Sequence, residues 1–153
     1  MPESSKPSVL VLGIGNTLRN DDGIGVRVVE EFHRTAAGNV ECRCVHQLTV
    51  EIAETISRID RVIFVDAALN GNPGEILEHE VLPSENSGEV FSHECSPLLL
   101  VSLAHSLYGR APQATLLTIS GSDFGYGETL SDQVRKALPQ AVQILSRLAH
   151  ADI

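Results

Sequence analysis

The sequence predicts an α/β fold: a twisted, mostly parallel mixed sheet of about five strands with helices on both faces, a three-layer α/β/α arrangement. Short, continuous aliphatic runs at residues 8–14 and 61–69 suit parallel strands buried on both faces. Segments with helical spacing of apolar residues follow them. Strand and helix patterns then alternate along the chain, which favours a sheet covered by helices over a bundle or a sandwich.

The first run, residues 8–14, is Ser-Val-Leu-Val-Leu-Gly-Ile and ends in a polar loop at residues 15–22. Residues 23–35 carry Ile24, Val28 and Phe32 at helical spacing. A second strand is expected at 40–46, and a helix opening at Thr49 or Val50 carries Ile52, Ile56 and Ile59. The third strand, 61–69, contains Val62, Ile63, Phe64 and Val65 in succession and reaches Asp66 before the turn Gly71-Asn72-Pro73-Gly74. Residues 75–82 mix apolar and acidic residues so soon after that strand that an antiparallel or edge position is expected. Residues 83–90 read as a surface loop. Ser96-Pro97 is a helix-start signal, a capping hydroxyl followed by a proline whose missing N–H costs nothing at the first position, and the helix is expected to run to about Tyr108. A fifth strand at 114–119 leads through a glycine-rich segment, 121–127, to a last helix from about Ser131. Its expected core face is Val134, Leu138, Ile144 and Leu148, with Pro139 kinking or restarting it.

At 153 residues the chain fits one domain, read as residues 8–153 behind a loose N-terminal tail at 1–7. Apolar residues make up 42% and charged residues 20%, and no apolar run approaches the roughly 20 residues of a membrane span, so no membrane contact is expected. The first residues lack the pattern of a secretory signal, which leads us to expect a cytoplasmic protein. The formal charge of −9 argues against a broad nucleic-acid surface, which needs clustered Lys and Arg. Cys42, Cys44 and Cys95 do not suggest a disulfide framework, and Cys42 and Cys44 read as buried apolar strand residues because Cys-x-Cys alone lacks zinc-site spacing.

In open α/β sheets, sites form where loops converge at the carboxyl ends of strands. That rule selects the loop carrying Asp21 and Asp22 after the first strand, Asp66 at the end of the third, and His93 ahead of the Ser96-Pro97 helix start. One imidazole and two carboxylates suit a borderline divalent ion such as zinc or nickel. On pattern alone Asp21 or Asp22 reads first as a helix-capping acid, and His93, like His46, His79 and His105, as an ordinary histidine. Asp66, ending a strongly apolar strand, must be exposed, hydrogen-bonded or ligating. Gly13-x-Gly15 begins like a dinucleotide fingerprint, but Leu18 stands at the third glycine position and the loop is acidic, so no nucleotide cofactor is expected.

The stretch Gly-Ile-Gly-Asn-Thr-Leu-Arg-Asn-Asp-Asp-Gly-Ile-Gly, residues 13–25, resembles the opening motif of the hydrogenase maturation proteases. The similarity continues through Gln47-Leu48-Thr49, Phe64-Val65-Asp66-Ala67, His93 before a Leu-rich helix, and residues 121–131, and so spans nearly the whole chain. The resemblance implies a twisted sheet flanked by helices and a metal site made by an acid in the first loop, an aspartate after a later strand and a histidine in a third loop; residue by residue these are Asp22, Asp66 and His93. It implies an endopeptidase that removes the C-terminal extension of a nickel-iron hydrogenase large-subunit precursor once nickel is inserted, with nickel supplied by that precursor. Asp22 and Asp66 are then the catalytic candidates, either as general base or beside a metal-activated water. Gly13, Gly15 and Gly25 are expected to allow tight turns and close backbone approach, and Asn16 to hold the loop by side-chain hydrogen bonds. A monomer is expected. The competing readings are a non-proteolytic nickel-sensing chaperone of the same precursor and a general peptidase acting on unfolded chains.

Overall fold

The computed structural model describes residues 6–85 and 94–152. Five strands, β1 (Val9–Ile14), β2 (Val40–Val45), β3 (Arg61–Ala68), β4 (Ile76–Glu80) and β5 (Gln113–Ser120), form one sheet in the order β2-β1-β3-β5-β4. β1 pairs in parallel with β2 and β3, and β3 with β5, while β4 joins β5 antiparallel at the edge, as its mixed composition suggested. The helices are α1 (Ile24–His33), α2 (Ile52–Ser57), α3 (Pro97–Tyr108) and α4 (Asp132–His150).

Side chains alternate across a strand, so each central strand feeds two cores. Val9 and Val11 of β1, Ile63 and Val65 of β3, and Leu117 and Ile119 of β5 pack with Ile24, Val28 and Phe32 of α1 and with α4. Leu10, Leu12, Val62, Phe64 and Ala114 face the opposite way, against Ile56 of α2 and Leu100, Val101 and Ala104 of α3. This is the expected three-layer arrangement. β1 is buried along its whole length and β3 from Arg61 to Val65, and the loops that follow β1, β2, β3 and β5 share one edge of the sheet.

Local chemistry sets the helix ends. The Ser96 hydroxyl accepts from the Leu99 N–H at 3.1 Å with Pro97 at the first position, and Gly109, with φ of 73°, closes α3 in the left-handed conformation that a Cβ disfavours. The far end of α4 is tied down by Arg61. Its buried guanidinium donates to the carbonyl oxygens of Leu148 at 3.0 Å, Ala151 at 2.7 Å and Asp152 at 3.2 Å, groups left without intrahelical partners.

Three expectations are corrected. α4 runs unbroken through Pro139, so the proline does not restart it. Its buried face is Val134, Ala137, Ala141, Leu145 and Ala149, whereas Leu138, Ile144 and Leu148 flank it. The alanines are what let α4 lie close against its neighbours, and a search for large apolar residues passes over them. Cys42 and Cys44 are not buried thiols: Cys42 is half-buried and Cys44 exposed, because β2 is an outer strand.

Candidate functional site

The loop after β1 is built to place carboxylates. Asn16 opens it with an Asx turn, its Oδ1 accepting from the Leu18 N–H at 2.9 Å, and a short 3-10 turn, Asn20–Gly23, leads into α1. Two glycines set the geometry. A Cβ on Gly15, whose φ is +143°, would lie 2.0 Å from the carbonyl oxygen of Asp22. One on Gly25 would lie 2.3 Å from the carbonyl oxygen of Val65 and 2.8 Å from that of Ile14. The start of α1 therefore presses on the ends of β1 and β3 as only glycine allows. Gly13 faces the same contact, its Cβ position 3.0 Å from the carbonyl oxygen of Gly25. This approach brings Asp22, one turn before Gly25, to the end of β3, where Asp66 follows Val65.

The two adjacent acids of this loop have different tasks. Asp21 is completely buried and both of its oxygens are engaged. Oδ2 accepts from the backbone N–H of Ser122 at 2.8 Å and Asp123 at 2.9 Å and from the Ser131 hydroxyl at 2.8 Å, and Oδ1 accepts from the Ser131 N–H at 2.8 Å. Burial pushes its pKa up, but the hydrogen bonds from Ser122, Ser131 and Asp123 outweigh it, and the net shift is downward. Asp21 is thus the anchor that ties the β5–α4 loop to the β1 loop. Arg19 adds to that tie: its Nη2 donates to the Phe124 carbonyl at 2.7 Å and its guanidinium lies 5.6 Å from the Tyr126 ring centroid.

Asp22 and Asp66 keep capacity in reserve. Oδ2 of Asp22 accepts from the Asn16 N–H at 2.8 Å, and Oδ1 of Asp66 accepts from the Ala67 N–H at 2.8 Å. Among the described residues no hydrogen bond engages the second oxygen of either acid. Desolvation raises the Asp66 carboxyl to about 7, with the Ala67 N–H opposing the shift and the negative charge of Asp22 adding to it. Asp66 can therefore hold a proton near neutral pH, and the oxygens left without hydrogen bonds give the neighbouring acids donor capacity for a cation.

His93, the third expected ligand, lies outside the described residues, and among those described no three His, Cys, Asp or Glu side chains gather as a metal set. Cys95, at the start of the stretch that leads into α3, is half-buried, and burial first and the negative charge of Glu51 second raise its thiol. The structure thus brings Asp22, Asp66, Gly13, Gly15, Asn16 and Gly25 together. The β5–α4 loop and its serines were missed as partners of the site; their contacts with Asp21 span 101 to 110 residues of sequence, and no local pattern marks them.

Among the described residues no helix is long and apolar enough to cross a membrane. No family profile matches the chain. It is 32% identical over 158 aligned residues, covering 95% of this chain and 82% of the relative, to the hydrogenase expression/formation protein HupD of Bradyrhizobium diazoefficiens. In structure it resembles the hydrogenase maturating endopeptidase HybD of Escherichia coli, with a TM-score of 0.74 at 24% identity over 90% of this chain and 89% of that one. It also resembles a hydrogenase 2 maturation peptidase from a Thaumarchaeota archaeon, with a TM-score of 0.68 at 27% identity over 90% of this chain and 95% of that one. With this likeness running along nearly its whole length, and an acid pair held at the carboxyl edge of its sheet, the chain belongs to the hydrogenase maturation protease family.

Proposed function

We propose that this chain is the endopeptidase that removes the C-terminal extension of a nickel-iron hydrogenase large-subunit precursor after nickel insertion, and that it recognises the inserted nickel through Asp22, Asp66 and His93. The observation that carries this reading is the pairing of Asp22, in the turn after β1, with Asp66, near the end of β3, where α1 packs closely through Gly25; among the described residues each acid has an oxygen without a hydrogen bond. Oxygen donors from two acids and a nitrogen from one imidazole suit a borderline ion such as nickel, which arrives as part of the precursor substrate and supplies positive charge next to the bond to be cut. The chain's own part is to hold that end of the precursor against the acids and to take a proton from the attacking water on a carboxylate. Asn16 and the Ala67 N–H fix the orientation of the two carboxylates. The protein is proposed to work in the cytoplasm as a monomer, without nucleic acid or membrane.

The test is incubation of the purified protein with its cognate precursor, nickel-loaded and nickel-free, read by intact mass. Loss of a C-terminal peptide from the loaded form alone is the expected result. Efficient cutting of the nickel-free form refutes the nickel check, and binding without cleavage of either form leaves the chaperone reading in its place. Asp66→Asn and His93→Ala are expected to fold and to lose processing; unfolding of both would mean that structural residues had been mistaken for site residues.

A further inference from the structure

β2 is the outer strand next to β1, and it ends beside the start of the loop that carries Asp22. Its inner side is occupied: the Gly15 N–H donates to the Val45 carbonyl at 3.0 Å, so the peptide groups of Val45 face β1. Because these directions alternate along a strand, the N–H and C=O of Cys44 and Cys42 face away from the sheet. The opposite edge strand, β4, is separated from β3 by β5 and runs antiparallel to it, so its last residues lie at the other end of the sheet. Among the described residues the outward edge of β2 is unpaired, and it leads toward the loop that carries Asp22.

A cavity of about 240 Å³ lies where this edge meets the site loop, lined by residues 15–18, Val26 and residues 44–46. Val26 and Leu18 give it apolar walls, Asn16 and His46 polar ones, and none of its lining residues is acidic in a chain of formal charge −9. It borders the loop that carries Asp22: Asn16, part of its lining, gives its N–H to Asp22 Oδ2 at 2.8 Å. The volume is sufficient for one side chain of a peptide and too small for a folded element.

We infer that the precursor segment flanking the scissile bond docks as an added strand on the outer edge of β2, with one of its uncharged or basic side chains in the cavity bounded by Leu18, Val26 and Cys44. The inference rests on the protease reading and names how its substrate is held. Strand addition presents a peptide in extended form. Main-chain hydrogen bonds give affinity for any sequence, and a pocket taking one alternate side chain gives specificity. Neutral walls in a strongly acidic chain admit an uncharged or basic side chain and disfavour an acidic one.

Two substitutions at Cys44 separate the parts. Its side chain is exposed, so Cys44→Phe fills the cavity without entering the core. Cys44→Pro removes an outward-facing donor, at an edge position where proline is tolerated. The exposed Leu18→Glu is a second variant that changes a wall without touching the sheet. Each is compared with wild type for binding and cutting of the purified nickel-loaded precursor, with thermal unfolding as the check on folding. The expected result is at least a tenfold loss of affinity and of kcat/KM for Cys44→Phe, Cys44→Pro and Leu18→Glu, carried mainly by KM. Wild-type binding and cutting by folded Cys44→Phe and Leu18→Glu would overturn the inference. Should wild type bind but not cut, the protease reading fails, and weaker binding by these variants would still support the docking site.

Discussion

Replacing Asp21 by Asn is expected to destabilise the fold far more than the same change at Asp22, although the two residues are adjacent and chemically alike. An amide offers one acceptor oxygen where the Asp21 carboxylate offers two, and both are occupied by donors at 2.8 to 2.9 Å. The least costly orientation keeps the oxygen at the Oδ2 position and turns the amide nitrogen toward the Ser131 N–H. One charge-assisted bond is then lost, at about 1.5–3 kcal/mol, a buried donor faces a donor, at about 1–3 kcal/mol, and the remaining bonds lose their charge assistance. The expected loss at pH 7 is about 3–5 kcal/mol, or roughly 10 °C in the unfolding midpoint of a protein this size. Asp22→Asn keeps an oxygen for the Asn16 N–H at a partly exposed position and is expected to cost less than about 1 kcal/mol. Because the folded-state pKa of Asp21 lies below the ordinary 3.8, its contribution is present above that value and is lost as pH falls through the folded-state pKa. The gap between wild type and Asp21→Asn should therefore be widest at neutral pH and narrow in acid. Urea denaturation of the three proteins from pH 7 down to pH 3 measures it. Equal stability of Asp21→Asn and wild type at pH 7, or a gap that widens in acid, would refute the anchoring role.

Asp66 should behave in the opposite way. Its carboxyl is raised from 3.8 to about 7 in the folded protein, so ionising it costs stability as pH climbs through that window, up to about 4 kcal/mol by linkage and less after solvent screening of a half-buried group. Asp66→Asn, which can still accept from the Ala67 N–H, is expected to be more stable than wild type by about 1–3 kcal/mol at pH 8 and no more stable at pH 4, read by denaturant titration without added metal. Gly25→Ala is expected to cost about 2–4 kcal/mol and to lower processing as well, since its methyl group meets the Val65 carbonyl and must push α1 away from β3; unchanged stability by thermal unfolding would contradict this. Ala141→Leu, at a fully buried position on α4, is expected to lose about 1–3 kcal/mol by overpacking, checked by the same assay.

The layered α/β/α arrangement, the parallel core strands and the antiparallel edge position of β4 were legible in the sequence because burial on two faces leaves a local trace, an unbroken aliphatic run, and an edge strand leaves another, a mixed one. The carboxyl-edge rule selected the loops that hold Asp22 and Asp66, two acids the fold sets close enough to influence each other, and the motif at residues 13–25 pointed to the family. Which of two neighbouring aspartates remains open to a ligand was not legible. Asp21 and Asp22 share one side-chain chemistry and one turn; what separates them is a loop about a hundred residues later whose amides and hydroxyls close on Asp21 alone. The alanine face of α4 and the exposure of Cys44 were decided in the same way, by which surfaces the packed helices and the strand order left covered. Periodicity records how a residue relates to its sequence neighbours. Hydrogen-bond saturation, close backbone approach and the pKa of Asp66 depend on neighbours that only the folded chain supplies.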